Sequence, residues 1–323
     1  MRILVTDNTH PVLQQVLQQA GHYVVTDTAM TYDRLLACVG DYDALVVRSK
    51  ITIDRHFLDQ ARHLRCIGRV GAGMETIDVA YAESLGIRCL NSPEGNRDAV
   101  GEHTLALLLA LFDKVARADA EVRQGLWQRE ANRGLEVKDK SIGIIGFGNM
   151  GSSFAQRLQG FECRVMAYDL LGREASGFAR HPWVESVGME QLRQEADVVS
   201  LHVPLTPQTH HLVCHEWLQG FRKDIYLINT SRGAVVCTDD LAAALRDGKV
   251  QGAALDVMEY EDISRDGLAL NGLPEAWREL TASPRTVLTP HVAGWTVESR
   301  ERLARVLAEK ICCFFSFHLK KSS

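Results

Sequence analysis

The chain has 323 residues, of which 46% are hydrophobic and 24% charged, and its formal net charge is −5. This length predicts two domains, and the composition is that of an ordinary globular protein. The acidic balance argues against a nucleic-acid partner, which usually needs a basic face. The apolar stretches are too short to cross a bilayer, and Met1–Asp7 is typical of a strand and turn rather than a signal peptide. We therefore expect neither a nucleic-acid nor a membrane partner.

The eight cysteines indicate the compartment. None of them forms a Cys-x-x-Cys motif, and several lie inside apolar runs, as buried thiols do. Because disulfides are rare in the cytosol, this usage predicts reduced thiols and a cytoplasmic location.

The first hundred residues alternate short apolar runs with amphipathic segments. Strands are predicted at Ile3–Val5, Tyr23–Thr26, Ala44–Val47, Cys66–Val70 and Arg88–Asn91. Helices between them are predicted at Pro11–Ala20, Tyr32–Cys38, Arg55–His63 and Ala80–Leu85. Alternation with this spacing indicates βαβ units and hence a parallel sheet.

A long helix is predicted next, over Asp98–Asp119, and its middle is strongly apolar. Such a helix suits a domain connector or a subunit contact. The following segment, Val122–Val137, is mostly polar and contains Trp127 and Gly134. Its composition predicts an exposed loop region.

The alternation of strands and helices resumes at Lys140. Six strands are predicted at Ser141–Ile145, Cys163–Tyr168, Val198–His202, Tyr226–Asn229, Gly252–Val257 and Val287–Thr289. Six is the strand count of a complete dinucleotide-binding sheet. Glycine, proline and charged residues interrupt the rhythm over Tyr260–Pro284, and a final helix is predicted over Thr296–Phe317.

A glycine-rich turn in the middle of the chain carries the clearest functional signal. Ser141–Gly151 reads SIGIIGFGNMG, so a G-x-G-x-x-G pattern leaves a predicted strand and opens a helix. Gly146 permits a tight turn, Gly148 lets the backbone approach a pyrophosphate, and Gly151 allows close helix packing. The next strand ends at Asp169, near the spacing expected for a carboxylate that binds an adenine-ribose hydroxyl. The pattern predicts a dinucleotide-binding domain, and the alternative is an ordinary βαβ unit with a glycine-rich turn.

Polar residues follow three later strands at their carboxyl ends, where parallel α/β sheets bind ligands. They are Arg232, Glu261 and His291. Hydride transfer to a ketone leaves an alkoxide that needs a proton, and a histidine can exchange a proton near neutral pH. A carboxylate on the other ring nitrogen fixes the tautomer and favours the imidazolium form. An arginine can hold a carboxylate through two parallel hydrogen bonds. The three residues therefore predict an acid–base site for hydride chemistry, and the alternative is a set of surface residues in turns.

Several segments together resemble the D-isomer-specific 2-hydroxyacid dehydrogenases, in a phosphoglycerate-dehydrogenase-like form, over nearly the whole chain. The segments that carry the resemblance are Val47–Ser49, Val70–Gly73, Asn91–Asn96, Gly101–Thr104, Gly146–Gly151, Leu201–Thr206, Asn229–Gly233, Leu255–Glu261 and Thr289–Thr296.

The resemblance implies an α/β fold of two doubly wound parallel-sheet domains. A Rossmann dinucleotide-binding domain at residues 99–292 would be inserted into a flavodoxin-like substrate domain formed by residues 1–98 and 293–323. NAD would be the cofactor, a small 2-keto or 2-hydroxy acid the substrate, and a homodimer would form through the inserted domain. The implied reaction is NAD-dependent interconversion of a D-2-hydroxy acid and a 2-keto acid. Two specific activities stay open, 3-phosphoglycerate dehydrogenase and hydroxypyruvate or glyoxylate reductase.

Residue roles are implied in the same way. In the catalytic set, Arg232 would grip the substrate carboxylate, His291 would be the acid–base group, and Glu261 would be its partner. Asp256 would hold the nicotinamide carboxamide. The full cofactor-binding set is Gly146, Gly148, Asn149, Met150, Gly151, Asp169, His202, Val203, Pro204, Thr206, Thr209, Thr230, Ser231, Arg232, Asp256, His291 and Gly294. The substrate-binding set is Arg48, Ser49, Val70, Gly71, Ala72, Gly73, Arg232 and His291.

Specificity stays open at two places. Arg48 and Lys50 could reach a distal phosphate or a second carboxylate, or they could be a solvated strand end. Asp169 favours NAD because a carboxylate repels a 2′-phosphate, whereas the nearby Arg173 would tolerate one. The chain ends at Ser323, so we expect no C-terminal amino-acid-sensing domain and no serine feedback.

The chain departs from the family pattern at two dipeptides. Glu261-Asp262 stands where Glu-Pro is usual, and Glu75-Thr76 stands where Asp-Asn is usual. The histidines and cysteine of His210–His215 have spacing that could chelate zinc, but they match an ordinary helix start, so no metal is expected.

Two other functions are compatible with the same fold. One is a non-catalytic NAD(H)-sensing interaction protein, and the presence of Arg232, Glu261 and His291 argues against it. The other is hydrolysis with bound NAD, as in adenosylhomocysteine hydrolase, for which the sequence offers no support.

Overall fold

Two parallel sheets organise the chain in the computed structural model, which describes residues 1–262, 267–268 and 273–319. The chain divides into two compact units, one formed by Met1–Asn96 with Trp295–Ser323 and the other by Arg97–Gly294. The second unit is therefore inserted into the sequence of the first. The predicted fold class, two doubly wound parallel-sheet domains with one inserted into the other, is confirmed.

The first unit begins with five parallel strands and the helices between them. The strands are β1 (Arg2–Val5), β2 (Tyr23–Thr26), β3 (Ala44–Val47), β4 (Cys66–Arg69) and β5 (Arg88–Asn91). The helices are α1 (Val12–Gln19), α2 (Tyr32–Cys38), α3 (Arg55–Gln60) and α4 (Val79–Ser84). The sheet order is β2-β1-β3-β4-β5, which is the flavodoxin-like arrangement. Its strand order reverses between β1 and β3, so ligands are expected at the carboxyl ends of these strands.

The second unit contains the larger sheet. Its helices are α5 (Arg97–Asp113), α6 (Val115–Arg123), α7 (Asn149–Leu158), α8 (Ser176–Arg180), α9 (Met189–Glu195), α10 (His215–Gln219), α11 (Thr238–Asp247) and α12 (Glu275–Ala282). Its strands are β6 (Ser141–Ile145), β7 (Arg164–Tyr168), β8 (Glu185–Ser186), β9 (Val198–Leu201), β10 (Ile225–Asn229), β11 (Val250–Leu255), β12 (Glu261–Asp262), β13 (Gly267–Leu268) and β14 (Thr286–Leu288).

Seven of these strands form one parallel sheet in the order β14-β11-β10-β9-β6-β7-β8. This is the doubly wound dinucleotide-binding order, whose switch point lies between β6 and β9. Both faces are covered, because neighbouring residues of the central strand β9 enter different hydrophobic clusters. Val198 packs with Ile144 and Phe154, whereas Val199 packs with Leu227 and Leu241. Such two-sided burial explains why the strands read as continuous apolar runs.

The last helix, α13 (Val297–Leu319), returns to the first unit. Its apolar face, which includes Leu307 and Ile311, packs in one hydrophobic cluster with Leu13 and Leu17 of α1. A Cβ on Gly68 of β4 would lie 3.0 Å from the Ile311 side chain, so the glycine lets the helix approach the sheet.

Two predicted elements are wrong in detail. The long helix over Asp98–Asp119 is two helices, because Lys114 has φ +54° and interrupts the helix between α5 and α6. The predicted six-strand sheet has a seventh member, β8, which contains only Glu185–Ser186 and has no apolar run that would reveal it. The segment Tyr260–Pro284 also holds the short β12–β13 hairpin and α12.

All eight cysteines lie in the described part of the chain, and each is a free thiol. Burial raises the pKa of the Cys66 thiol to about 12. Among the described residues, no helix is both long and apolar enough to cross a membrane.

Candidate active site

The glycine-rich turn connects β6 to α7 at the switch point of the larger sheet. Gly146 has φ +88°, and a Cβ there would lie 2.5 Å from the His202 carbonyl oxygen. A Cβ on Gly151 would lie 2.1 Å from the Gly146 carbonyl oxygen, so the protein's own packing requires both glycines. A Cβ on Gly148 would meet no atom within 4 Å. The middle glycine therefore borders open space at the N-terminus of α7, which suits a phosphate group.

Asp169 follows β7 and lies beside this turn. Its Oδ2 accepts a hydrogen bond from the Phe147 backbone N–H at 2.7 Å, and its Oδ1 accepts one from the Leu171 N–H at 3.0 Å. Asn149 and Met150 form the first residues of α7. The turn, the helix start and the carboxylate thus lie together at one edge of the sheet, as a dinucleotide site requires.

His202, Val203 and Pro204 follow β9, the strand beside β6. The His202 Nε2 lies 2.9 Å from the Ser200 Oγ. Burial lowers the pKa of His202 to about 3, so its ring is neutral at physiological pH. Because its ring is neutral, His202 brings no positive charge to this edge of the sheet.

The loop after Pro204 is closed by its own threonines. The Thr206 N–H donates to the Thr209 Oγ1 at 2.8 Å, and the Thr209 hydroxyl donates to the Pro204 carbonyl oxygen at 2.6 Å. These bonds fix the loop next to the carboxyl end of β9.

The end of β10 is organised by Asn229. Its Oδ1 accepts hydrogen bonds from the Ser231 N–H at 3.0 Å and the Ser231 hydroxyl at 2.7 Å, and its Nδ2 donates to the Arg232 carbonyl oxygen at 2.9 Å. The Arg232 Nη1 donates to the Ser231 carbonyl oxygen at 2.6 Å. The hydroxyl of the buried Thr230 lies 3.2 Å from that of Thr104. This turn sets the backbone from which the Arg232 side chain extends.

Glu261 and His291 are in direct contact. The His291 Nδ1 lies 2.7 Å from the Glu261 Oε2. The glutamate side chain is 15% exposed and the histidine side chain 40% exposed, so the carboxylate is shielded while the imidazole reaches solvent. They follow β11 and β14, and Arg232 follows β10, so all three lie at the carboxyl ends of neighbouring strands.

A four-residue turn, Met258–Glu261, presents the glutamate. The Glu261 N–H donates to the Met258 carbonyl oxygen at 3.3 Å. In return, the Met258 N–H donates to the Glu261 Oε1. One carboxylate oxygen is thus held by the backbone of the turn and the other by His291. Glu261-Asp262 also begins the antiparallel β12–β13 hairpin.

Asp256 holds the backbone around His291. Its buried carboxylate accepts hydrogen bonds from the Thr289 hydroxyl at 2.6 Å and from the Val292 and Ala293 N–H groups at 2.9 Å each. Its carbonyl oxygen accepts the His291 N–H at 2.7 Å. Burial alone would raise the pKa of Asp256, but its hydrogen bonds outweigh burial and leave the pKa below the usual value. These contacts stabilise His291 at φ +53°, a left-handed conformation that few side chains adopt.

His103 of α5 completes this cluster. Its Nε2 lies 3.1 Å from the Thr289 Oγ1 and 3.4 Å from the Asp256 Oδ1. Sequence reasoning did not single out His103, although it lies in a segment that carries the resemblance. Gly294 is the last residue of the second unit and directly follows the segment that Asp256 holds.

The first unit places the predicted substrate-binding residues at the carboxyl ends of β3 and β4. The Arg48 N–H donates to the Asp7 Oδ2 at 2.9 Å, and the Arg48 guanidinium lies 4.2 Å from the centroid of the Trp295 ring. The Arg69 Nε donates to the Arg48 carbonyl oxygen at 3.1 Å. Ser49 follows Arg48 at the same edge. Arg69 and Trp295, which contact Arg48, were not predicted as site residues.

Two backbone N–H groups of the Val70–Gly73 loop already donate hydrogen bonds within the protein. The Val70 N–H donates to the Val47 carbonyl oxygen at 2.9 Å, and the Gly71 N–H donates to the Ser92 Oγ at 3.3 Å. Gly71 has φ +153°, and a Cβ there would lie 1.9 Å from the Arg69 Nη1. The loop backbone at Gly71 therefore lies directly against the Arg69 side chain.

Known proteins resemble the chain in both sequence and fold. The family model described as "D-isomer specific 2-hydroxyacid dehydrogenase, NAD binding domain" matches residues 105–293. Hydroxypyruvate reductase of Thermotoga maritima is 33% identical over 310 residues, which are 96% of this chain and 97% of that protein. D-3-phosphoglycerate dehydrogenase of Methanocaldococcus jannaschii is 32% identical over 318 residues, or 96% of this chain, but the chain spans only 57% of that enzyme's length.

A solved structure extends the comparison to the fold. D-lactate dehydrogenase from Aquifex aeolicus, complexed with NAD and lactic acid, is 27% identical with a TM-score of 0.81, covering 99% of this chain and 97% of that one. The fold and the glycine turn define a dinucleotide-binding α/β protein. The chain belongs to the D-isomer-specific 2-hydroxyacid dehydrogenase family, whose cofactor is NAD, and the predicted resemblance is confirmed.

Proposed function

We propose that the protein is an NAD-dependent oxidoreductase that interconverts a D-2-hydroxy acid and a 2-keto acid. The observation that carries this proposal is the 2.7 Å contact between His291 and Glu261 at the sheet edge that also holds the glycine turn. Acid–base chemistry and dinucleotide binding thus share one edge of one sheet. Family membership supports the same reaction class.

The proposed mechanism assigns each of the three residues one task. NAD supplies or takes up the hydride when it is bound. His291 donates a proton from Nε2 to the forming alkoxide, or removes the hydroxyl proton in the oxidative direction. Glu261 holds Nδ1, which fixes the tautomer and the orientation of the ring. Arg232 pairs with the substrate carboxylate through its planar guanidinium.

The residues at the switch point fit NAD. The open space beside Gly148 and the N–H groups of Asn149 and Met150 would hold the pyrophosphate. Asp169 would bind the adenine ribose, and its negative charge favours NAD over NADP. Further contacts are proposed for Gly146, Gly151, His202, Val203, Pro204, Thr206, Thr209, Thr230, Ser231, Asp256 and Gly294. Asp256 would reach the nicotinamide carboxamide.

The proposed substrate is a small acid. Arg232 in the second unit and the Val70–Gly73 loop in the first unit are each proposed as carboxylate-binding groups. Because the Val70 and Gly71 amides already have partners, Ala72 and Gly73 are the amides proposed to bind the carboxylate. The Arg48 guanidinium would meet a second anionic group, such as a phosphate or carboxylate. A second anionic group favours 3-phosphoglycerate dehydrogenase. Hydroxypyruvate or glyoxylate reductase, whose substrates carry a single carboxylate, is the other specific activity to test.

The test is the oxidation of NADH, followed spectrophotometrically, across glyoxylate, hydroxypyruvate, phosphohydroxypyruvate, pyruvate and bulkier keto acids. The proposal expects turnover with at least one of them. NADH binding without turnover on any acid would contradict it and favour an NAD(H)-sensing interaction protein. If phosphorylated substrates show no advantage over their unphosphorylated analogues, the phosphate-binding role of Arg48 fails.

A homodimer through the inserted unit is also part of the proposal. Five large apolar side chains are exposed between residues 115 and 135: Val115, Val122, Leu126, Trp127 and Leu135. Trp127 is 79% exposed. Several exposed apolar groups within about twenty residues support a protein contact in this segment, since large exposed apolar patches often mark such contacts.

We propose a cytoplasmic location as well. Its support is the eight free thiols, since a reducing compartment keeps cysteines in this state.

A further inference from the structure

A second carboxylate lies next to the proposed acid–base pair. Glu259 precedes Glu261 by two residues, and its side chain is 18% exposed. Its Oε2 accepts hydrogen bonds from the Thr238 N–H at 2.9 Å and the Thr238 hydroxyl at 2.7 Å. Its Oε1 lies 2.6 Å from the His211 Nε2. Both carboxylate oxygens are therefore engaged by protein groups.

The backbone connects Glu259 directly to Glu261. Glu259 is the second residue of the Met258–Glu261 turn, and Glu261 is the fourth. The Met258 N–H that orients the Glu261 carboxylate belongs to the same turn. A rotation of this turn would therefore move the Glu261 carboxylate relative to His291.

The groups that hold Glu259 lie on packed elements. Thr238 is the first residue of α11, whose Leu241 and Leu245 are buried in the core. His211 is joined to the neighbouring segment, because its N–H donates to the Ala234 carbonyl oxygen at 2.8 Å. Glu259 thus fastens a half-buried turn to a helix terminus and to a second loop.

The same turn touches the segment that carries Arg232. A Cβ on Gly233 would lie 1.8 Å from the Met258 carbonyl oxygen and 2.5 Å from the Glu259 nitrogen. Only a glycine permits this approach of two backbones. The position of the Met258–Glu261 turn is therefore coupled to the positions of both Arg232 and His291.

We propose that Glu259 is a positioning residue, which anchors the Met258–Glu261 turn through Thr238 and His211 and so keeps Glu261 in contact with His291. This inference rests on the proposed function for its kinetic effect, but the contact itself can be measured without turnover. Glu259 acts through Glu261 and does not touch the substrate.

The kinetic test compares Glu259→Ala with Glu259→Gln. The glutamine keeps an oxygen that accepts from Thr238 and an amide that can donate to His211, whereas the alanine loses both anchors. We expect kcat to fall about 10-fold or more in Glu259→Ala, since displacement of a catalytic group by about 1 Å can cost up to roughly 100-fold. We expect Glu259→Gln to stay within about 3-fold of the wild type, and the Kd for NADH to change little in both variants. Glu216→Ala, at an exposed position of α10, is the matched control.

The second measurement is the ¹⁵N spectrum of the His291 imidazole, which reports the nitrogen that carries the proton. Wild type and Glu259→Gln should show the Nδ1–H form that Glu261 fixes, and Glu259→Ala should lose it. An unchanged kcat and spectrum in Glu259→Ala would overturn the inference, as would a Gln variant as impaired as the Ala variant. A wild type without turnover on any keto acid would instead refute the proposed function, and the spectra would then decide the role of Glu259 alone.

Discussion

At the scale of single residues, the structure separates two glutamates that the sequence places side by side. Glu259 and Glu261 are both acidic and only two positions apart, so pattern alone cannot show which one meets His291. The resemblance favoured Glu261, and the turn geometry brings Glu261 to His291 while Glu259 meets His211. The hydrogen-bond partners of the two glutamates depend on how the turn folds, and the spacing of residues along the sequence does not specify that fold.

His202 gives a prediction about pH at the same scale. Its pKa is about 3 in the folded protein because of burial, but near 6.5 in an unfolded chain. Below pH 6.5 the unfolded chain therefore binds a proton that the folded protein does not, and stability falls as the pH falls. Between pH 7.5 and 5.5, we expect His202 to lower the free energy of unfolding by about 1.4 kcal/mol.

The measurement is urea unfolding of the wild type and of His202→Gln at both pH values. The wild type should lose about 1.4 kcal/mol more than the variant over this range. Equal losses in the two proteins would show that His202 is not buried as a neutral ring.

At the scale of elements, the sequence predicted every strand of the two parallel sheets except β8, because most of them are apolar runs between polar turns. The two errors also have physical causes. Lysine has an ordinary helix propensity, so nothing local marks Lys114 as the residue with φ +54° that separates α5 from α6. The edge strand β8 buries little and pairs with one neighbour only, so it needs no apolar run.

The turn between β6 and α7 gives a prediction that separates folding from ligand binding. Gly151→Ala should lower Tm, because its Cβ would lie 2.1 Å from the Gly146 carbonyl oxygen. Gly148→Ala should lower Tm less, because its Cβ meets no protein atom within 4 Å, but it should weaken NADH binding by about 10-fold or more where the pyrophosphate approaches.

Gly160→Ala is the matched control for both variants, since a Cβ there also meets nothing within 4 Å and the residue lies outside the turn. Thermal unfolding and NADH fluorescence titration provide the two readings. Wild-type NADH affinity in Gly148→Ala would argue against a pyrophosphate at this turn.

At the scale of the whole molecule, the central position of the glycine turn left room for a preceding domain, since about 140 residues are enough for one. The resemblance implied that the dinucleotide-binding domain is inserted, and the fold has this arrangement. The sequence could not show how each unit completes its core. The return of α13 to the first sheet depends on tertiary packing against α1 and β4.

The proposed dimer gives a prediction at this scale. Trp127→Asp places a charge in the exposed apolar segment, so we expect the variant to elute as a monomer where the wild type is a dimer. Tyr23→Asp is the control, because Tyr23 is also exposed but lies in the first unit. Light scattering after size exclusion measures both masses, and an unchanged mass for Trp127→Asp would remove this segment from the interface.

The most direct test of the central claim is the rate of NADH oxidation by His291→Ala, measured with the best keto acid of the wild type. The account predicts that kcat falls by roughly 10²–10⁴-fold, because general acid–base catalysis typically contributes that much. NADH binding should persist, and His215→Ala, at an exposed position of α10, should keep wild-type activity. Equal rates of NADH oxidation by wild type and His291→Ala would contradict the assignment of His291 as the proton carrier.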